Sequence, residues 1–211
     1  MEEIRKLYEG KKTDIRKRLD EFKSVSDQTD EKLFAELAFC ILTPQSKATI
    51  CWNVIKSLEK NSLLFTGDYD EIRPFLNAVR FGNNKTGYLI GARKFFTENG
   101  RIVIKKKLSQ FKDPISLRGW IVENVKGIGM KESSHFIRNI GLSENQLAIL
   151  DTHILRNLEK FDVIEQVPKS LTKNLYLDIE EKMKRFAGKM EIPLDELDLL
   201  LWSKETGFIF K

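Results

Sequence analysis

A tight glycine turn between two short helical segments constrains this 211-residue chain more than any other stretch. It lies in IVENVKGIGMKESSHFIRNIG, residues 121–141, followed nine residues later by DTHILRNL, 151–158. Val122, Val125, Gly127, Gly129, Ser133, Phe136 and Ile137 fall at the positions of a helix-hairpin-helix. Glycine in such a turn adopts angles that other residues resist and lets a phosphate approach without a Cβ in the way. The next helix begins at the turn, so its free N–H groups and positive dipole end face the same phosphate. Lys131 sits two residues after the second glycine, in the first turn, and Asp151 opens a further helix.

The rest of the chain reads as helical. Leu33, Phe34, Leu37, Ala38, Ile41 and Leu42 line one face behind an expected Asp30 N-cap, and Tyr88, Ala92, Phe95 and Phe96 line another before Asn99-Gly100, an expected C-cap. Further helices are expected over 3–24, 46–60, 69–80, 115–124, 130–140, 152–161, 170–188 and 194–206. Pro74 falls in the first turns of the 69–80 segment. RIVIKKKL, 101–108, is the one stretch that could be extended; it is read as a helix.

Net charge is +5, with a pI near 9.1, which permits nucleic-acid binding without demanding it. Local basic runs are at Lys105-Lys106-Lys107 and at Lys11, Lys12, Arg16, Lys17 and Arg18, and each is either a DNA-facing patch or a solvated helix surface. Two cysteines, Cys40 and Cys51, exclude a disulfide framework and a four-cysteine iron–sulfur cluster. No zinc site or other metal site is expected from two histidines and two cysteines at these spacings. No signal peptide or membrane-length apolar run is seen, so an intracellular, cytoplasmic protein is expected.

The hairpin, its lysine and the downstream aspartate resemble the helix-hairpin-helix DNA glycosylase superfamily, whose members with a lysine at this position are bifunctional glycosylase/lyases. LAFCILTPQSKA (37–48), VRFGNNKTGYL (79–89), KGIGMKESSHFIRN (126–139), LAILDTHILR (147–156) and LWSKETGFIFK (201–211) narrow the match. Together they look like the second, archaeal-type class of 8-oxoguanine DNA glycosylase, over about residue 30 to the last. One departure is Lys126, where the wider superfamily has a proline before the hairpin glycine.

The resemblance implies an all-α fold of two lobes: a central helical barrel over 30–150, with the hairpin at about 115–140, and a second lobe built from 1–29 and 151–211. The active site would lie in the cleft between them. The implied partner is double-stranded DNA containing 8-oxoguanine, bound by a monomer, with no cofactor and no membrane. A same-superfamily glycosylase for another damaged base, and a non-catalytic helix-hairpin-helix DNA-binding module, are the alternative readings.

Each site residue has an ordinary reading beside the functional one. Lys131 is either a phosphate-binding lysine or the nucleophile that attacks C1′; a nucleophilic amine must first shed its proton, which Asp151 is expected to accept. Asp151 is a favoured helix N-cap and, by the resemblance, also the carboxylate that stabilises positive charge on the sugar. His135, four residues after Lys131, shares its helix face and either contacts the extruded base or bonds to nearby backbone. His153 is read as structural or phosphate-contacting. Gln45 and Lys47, after Pro44, form an ordinary polar loop or the loop that inserts a side chain into the hole left by a flipped base. Gly127 and Gly129 are expected to bind the DNA backbone. Trp202 is either core or an aromatic platform for the base. The resemblance implies that Lys211 reaches the base pocket and that its carboxylate accepts the N7 proton peculiar to 8-oxoguanine. Arg80, Asn84 and Lys85 form either a capping turn or an edge of the pocket or DNA surface.

Overall fold

The computed structural model describes residues 2–211. The elements are α1 (Glu2–Val25), α2 (Asp30–Leu42), α3 (Ala48–Lys60), α4 (Leu63–Thr66), α5 (Tyr69–Ile72), a 3-10 turn (Arg73–Leu76), α6 (Gly82–Phe95), β1 (Thr97–Glu98) and β2 (Arg101–Ile102). They continue with α7 (Ile104–Leu108), α8 (Pro114–Asn124), α9 (Met130–Asn139), α10 (Thr152–Lys160), α11 (Lys173–Met190) and α12 (Leu194–Thr206). The fold is all-α apart from the two-residue hairpin strands.

Two apolar cores organise these helices. The first runs from Leu33 to Leu147 and surrounds α2, which is buried on every face from Leu33 to Leu42. A helix apolar all round has to sit inside other helices, and α3, α6 and α9 pack against it. The second core joins α1, through Ile4, Tyr8, Ile15 and Phe22, to residues 148–201. Its centre is α12, buried from Leu194 to Leu201, with α1, α10 and α11 around it.

Two ion pairs cross between the cores. Arg118 of α8 donates two bonds to Glu180 of α11, at 2.6 and 2.8 Å, and both side chains are buried. Glu180 also accepts the Ala148 N–H at 2.8 Å, and Tyr176 Oη donates to the Ala148 carbonyl at 2.6 Å. Arg138 of α9 pairs with Asp198 of α12 at 2.5 Å. Breaking one partner of such a buried pair strands the other charge, so both pairs fix geometry. Arg118–Glu180 has its hydrogen bonds met, whereas Arg138 Nε and Asp198 Oδ1 have no protein partner.

Several local expectations are corrected. Residues 101–108 are not one helix: Arg101 and Ile102 pair antiparallel with Glu98 and Thr97, and only Ile104–Leu108 is helical. Asn99 and Gly100 both take positive φ, 49° and 75°, which makes them the hairpin turn and not a C-cap. The 69–80 segment breaks after Ile72 into the 3-10 turn, because Pro74 has no N–H to continue the α ladder. Thr29, not Asp30, caps α2, its hydroxyl accepting the Lys32 N–H. Asp30 instead accepts the Lys105 N–H at 2.7 Å.

The basic runs are largely occupied within the molecule. Lys106 and Lys107 pair with Glu98, and Lys105 donates to the Gln28 carbonyl. Lys11 donates to Ser203, Lys12 to Glu9, Arg16 to Glu196 and Arg18 to Glu21.

Candidate active site

A cavity of about 560 Å³ opens where the α2–α3 loop, α9, the start of α10, α12 and the tail converge. Gln45, Lys47, Lys131, His135, Asp151, Trp202 and Lys211 all line it. Residues up to 166 positions apart in sequence, Gln45 and Lys211, therefore share one wall-to-wall space.

The hairpin sets one side. α8 ends at Asn124, the chain turns through Gly127 and Gly129, and α9 starts at Met130. Gly127 has φ +90°, and a Cβ there would fall 2.3 Å from the Tyr88 ring. Gly129 has φ −105°, and an added Cβ would meet only the Glu132 carboxylate, at 3.3 Å. Glu132 does two things at this turn. It accepts the Gly129 N–H at 3.2 Å and pairs with Lys131 at 2.9 Å. No ion pair joins Lys131 to Asp151 among the described residues, so the carboxylate beside the lysine is Glu132.

Asp151 is the N-cap of α10. Its Oδ1 accepts the Ile154 N–H at 2.8 Å, which holds the carboxylate rigidly at the cavity edge. Behind it lies Asp198, whose carboxyl burial pushes up to about 7 against the pull of Arg138, with Asp151 and Asp195 adding to the rise. Asp198 Oδ1 has no protein partner.

His135 is buried, edge-on to Phe39 with ring centroids 5.5 Å apart, and its Nε2 has no protein partner. Burial, then the charges of Arg138, Lys131 and Lys211, hold its pKa well below the ordinary histidine value, so the ring is neutral. A neutral imidazole with a free nitrogen in a cavity is a hydrogen-bonding group rather than a cation.

Trp202 is half-buried and meets Phe208 edge-on at 5.6 Å, while Phe210 packs against Phe39 and Phe208. This aromatic chain docks the tail. Lys211 follows it into a socket, where its ammonium pairs with the buried Glu36 and stands 3.6 Å from the centre of the Trp52 ring. Burial lowers the Lys211 pKa, and Glu36 opposes that shift.

Gln45 and Lys47 are exposed at the cavity mouth. Gln45 adopts a left-handed conformation, φ 54°. Lys85 of α6 is buried and donates to the Leu42 carbonyl at 2.7 Å, the Pro44 carbonyl at 2.6 Å and Ser46 Oγ at 3.1 Å. The 79–89 stretch is thus a support for the α2–α3 loop.

Sequence reasoning missed three contributors. Glu132 was legible as the third helical residue behind a glycine cap, the spacing of a capping box. Glu36 and Asp198 carry no local signal, since each sits in an apolar helix and meets its partner only through the tertiary fold.

Two helical cores, the first carrying a Gly-x-Gly hairpin, with a lysine and a capped aspartate in the cavity where they meet, define the helix-hairpin-helix glycosylase class. A family model described as 8-oxoguanine DNA glycosylase matches residues 15–192, and the chain belongs to that family. A Fusobacterium nucleatum protein, 8-oxoguanine DNA glycosylase/AP lyase, is 48% identical over 210 residues, 99% of this chain and 96% of that one. The crystal structure of Methanocaldococcus jannaschii 8-oxoguanine glycosylase/lyase with a 15mer DNA containing 8-oxoguanine superposes with a TM-score of 0.89 at 34% identity, covering all of both chains. The Thermotoga maritima 8-oxoguanine DNA glycosylase superposes with a TM-score of 0.86 at 31% identity, over 100% of this chain and 97% of that one.

Proposed function

We propose that this protein excises 8-oxoguanine from double-stranded DNA and then cleaves the strand at the abasic site. The observation that carries the reading is the convergence of Lys131 and Asp151 on one cavity, in a chain that superposes throughout on a DNA-bound 8-oxoguanine glycosylase/lyase. A glycosylase for another base, or a non-catalytic DNA-binding module, is not favoured: the relatives are glycosylase/lyases by name over the full length.

The two apolar cores support a reading as two lobes, 30–150 and 1–29 with 151–211, although Ala148 and Leu150 already pack in the second core, and DNA enters the space between them. The hairpin glycines let a phosphate reach the N-terminus of α9, which registers the duplex without reading its sequence. The target nucleotide is extruded, and Gln45 fills the vacated space while Lys47 meets the backbone. His135, Trp202 and Lys211 form the base pocket.

The chemistry follows from the amine. Once neutral, Lys131 Nζ donates its lone pair to C1′ as the N-glycosidic bond breaks and its electron pair leaves with the base. The Asp151 carboxylate faces the positive charge that builds on the sugar. The resulting hemiaminal opens to an imine as its C1′–O4′ bond breaks and O4′ takes up the proton lost from nitrogen. A C2′ proton is then lost and the 3′ phosphate leaves by β-elimination. Water then frees the lysine. Schiff-base chemistry of this kind needs no cofactor.

No helix of the described residues is long and apolar enough to cross a membrane, and a monomer acting on DNA inside the cell is the setting this reading takes. The test is borohydride trapping on 8-oxoguanine duplexes. A covalent complex with the wild-type protein and none with Lys131→Gln is expected, while trapping retained in that variant removes Lys131 as nucleophile.

A further inference from the structure

We propose that Lys85 is the positioning residue for the Gln45 loop, holding it in the shape that presents Gln45 to the space left by an extruded base. This rests on the reading of Gln45 as the side chain that fills that space.

Lys85 does not line the cavity, so any effect it has on the reaction passes through something else. Its ammonium has three protons, and each has an acceptor: the Leu42 carbonyl, the Pro44 carbonyl and Ser46 Oγ. All three acceptors fall within five residues of chain, on both sides of Gln45. The Leu42 carbonyl belongs to the last turn of α2, where carbonyls lack helical partners and the dipole is negative. A cation is the natural partner there. It satisfies that helix end and draws the following turn onto it in one step.

The loop needs such a hold. Gln45 is not glycine, yet it sits at φ 54°, a conformation that persists only where the surroundings over-determine it. Ser46 Oγ also accepts the Arg80 N–H at 3.0 Å, and the Ser46 N–H bonds the Thr43 carbonyl at 3.0 Å. Every one of these restraints except the last comes from the 79–89 stretch. Gln45 itself makes no side-chain hydrogen bond among the described residues and is exposed, so its direction is set by the backbone alone. A buried lysine on a neighbouring helix with no cavity contact, spending all three donors on one turn, fits a brace for that turn.

The test is a double-mutant cycle read by single-turnover excision of 8-oxoguanine, using Lys85→Met, Gln45→Ala and the pair. Methionine keeps the length and loses every donor. Misplacing a group that acts at the reacting nucleotide costs roughly ten- to a hundredfold in rate. Gln45→Ala and Lys85→Met are each expected to slow excision on that scale, and the double variant to be no slower than the slower single one. Multiplying effects, or a Lys85→Met rate equal to wild type, overturns the brace. A wild-type rate for Gln45→Ala instead overturns the plug reading on which the brace rests. If Lys85→Met does not fold, Ser46→Ala takes its place. It removes one acceptor and the Arg80 tie, and should show the same non-additivity with Gln45→Ala; additivity there overturns the proposal equally.

Discussion

Lys131 is paired with Glu132, its neighbour in sequence, at 2.9 Å, and the same Glu132 carboxylate takes the Gly129 N–H at the mouth of the hairpin. One acidic side chain thus occupies the point where a phosphate is expected and tethers the amine expected to attack. A phosphate arriving at Gly129 competes with Glu132 for the same N–H and repels its charge.

Glu132→Gln should therefore tighten binding to undamaged duplex. The amide oxygen still accepts the Gly129 N–H, so the fold is kept. Two unit charges about 4 Å apart interact by roughly 1 kcal/mol in water, or about fivefold in affinity. Fluorescence anisotropy should show that gain at low salt and its loss as salt rises. Unchanged affinity at low salt would place the phosphate elsewhere.

The two hairpin glycines should fail differently. Gly127→Ala puts a Cβ into the Tyr88 ring and leaves a positive φ strained, so a fall in Tm is expected before any effect on DNA. Gly129→Ala has an ordinary φ and only a flexible carboxylate nearby, so its Tm should stay near wild type while affinity for damaged and undamaged duplex falls alike. Calorimetry beside anisotropy separates the two. A stable Gly127→Ala protein would mean that Tyr88 yields.

Asp151→Asn should preserve stability and slow base excision by orders of magnitude, because an amide oxygen can still accept the Ile154 N–H. Asp151→Ala should lose both the activity and the cap, at about 1 kcal/mol. Near-normal single-turnover rates for Asp151→Asn would leave it a cap only.

His135 gives a pH signature. Its folded pKa is depressed, so below about 6.5 the unfolded chain binds a proton that the folded one refuses. Stability contributed by the neutral ring is present above that pH and is lost as pH falls toward the folded pKa, at up to about 1.4 kcal/mol per pH unit. Thermal melts between pH 5 and 8 should show a shallower acid decline in His135→Gln than in wild type. Parallel curves would show that the ring charges in the folded state.

Lys211 and Glu36 should act as a pair in excision. Lys211→Met frees the tail's end from its socket, and Glu36→Gln weakens the same tie from the other side. Both should reduce 8-oxoguanine excision far more than nicking of a ready-made abasic site, which needs no base contact. Loss of both activities in parallel, in folded protein, would make the tail mere packing.

The helical segments that frame the cavity were legible because their signals are local. The 3.6-residue spacing of α2, the Gly127-x-Gly129 turn and the Asp151 cap all lie within a few residues of chain. The β1–β2 pair was not read, since an Asn-Gly after a helix suits a C-cap as well as a hairpin until its strands find each other. Likewise, Lys85 could be seen beside a turn, but only tertiary packing says which turn it serves. Glu36 reads as one polar residue on an apolar helix, and its partner is 175 positions away.

The second core also dictates an order of assembly. Leu33 to Leu147, the first core, is nearly contiguous in the chain, so it can condense as soon as that stretch is made. α1 emerges earlier than any of it, yet Ile4, Tyr8, Ile15 and Phe22 belong to the core whose other members lie between residues 148 and 201, even though Phe22 also meets Arg138 of α9. During synthesis this apolar stripe has to wait through well over a hundred residues of translation, long-range closure being the slow part of folding. The nascent chain thus carries an uncovered greasy edge on α1, charged on its remaining faces, until that later stretch arrives, and such an edge is what a chaperone would hold.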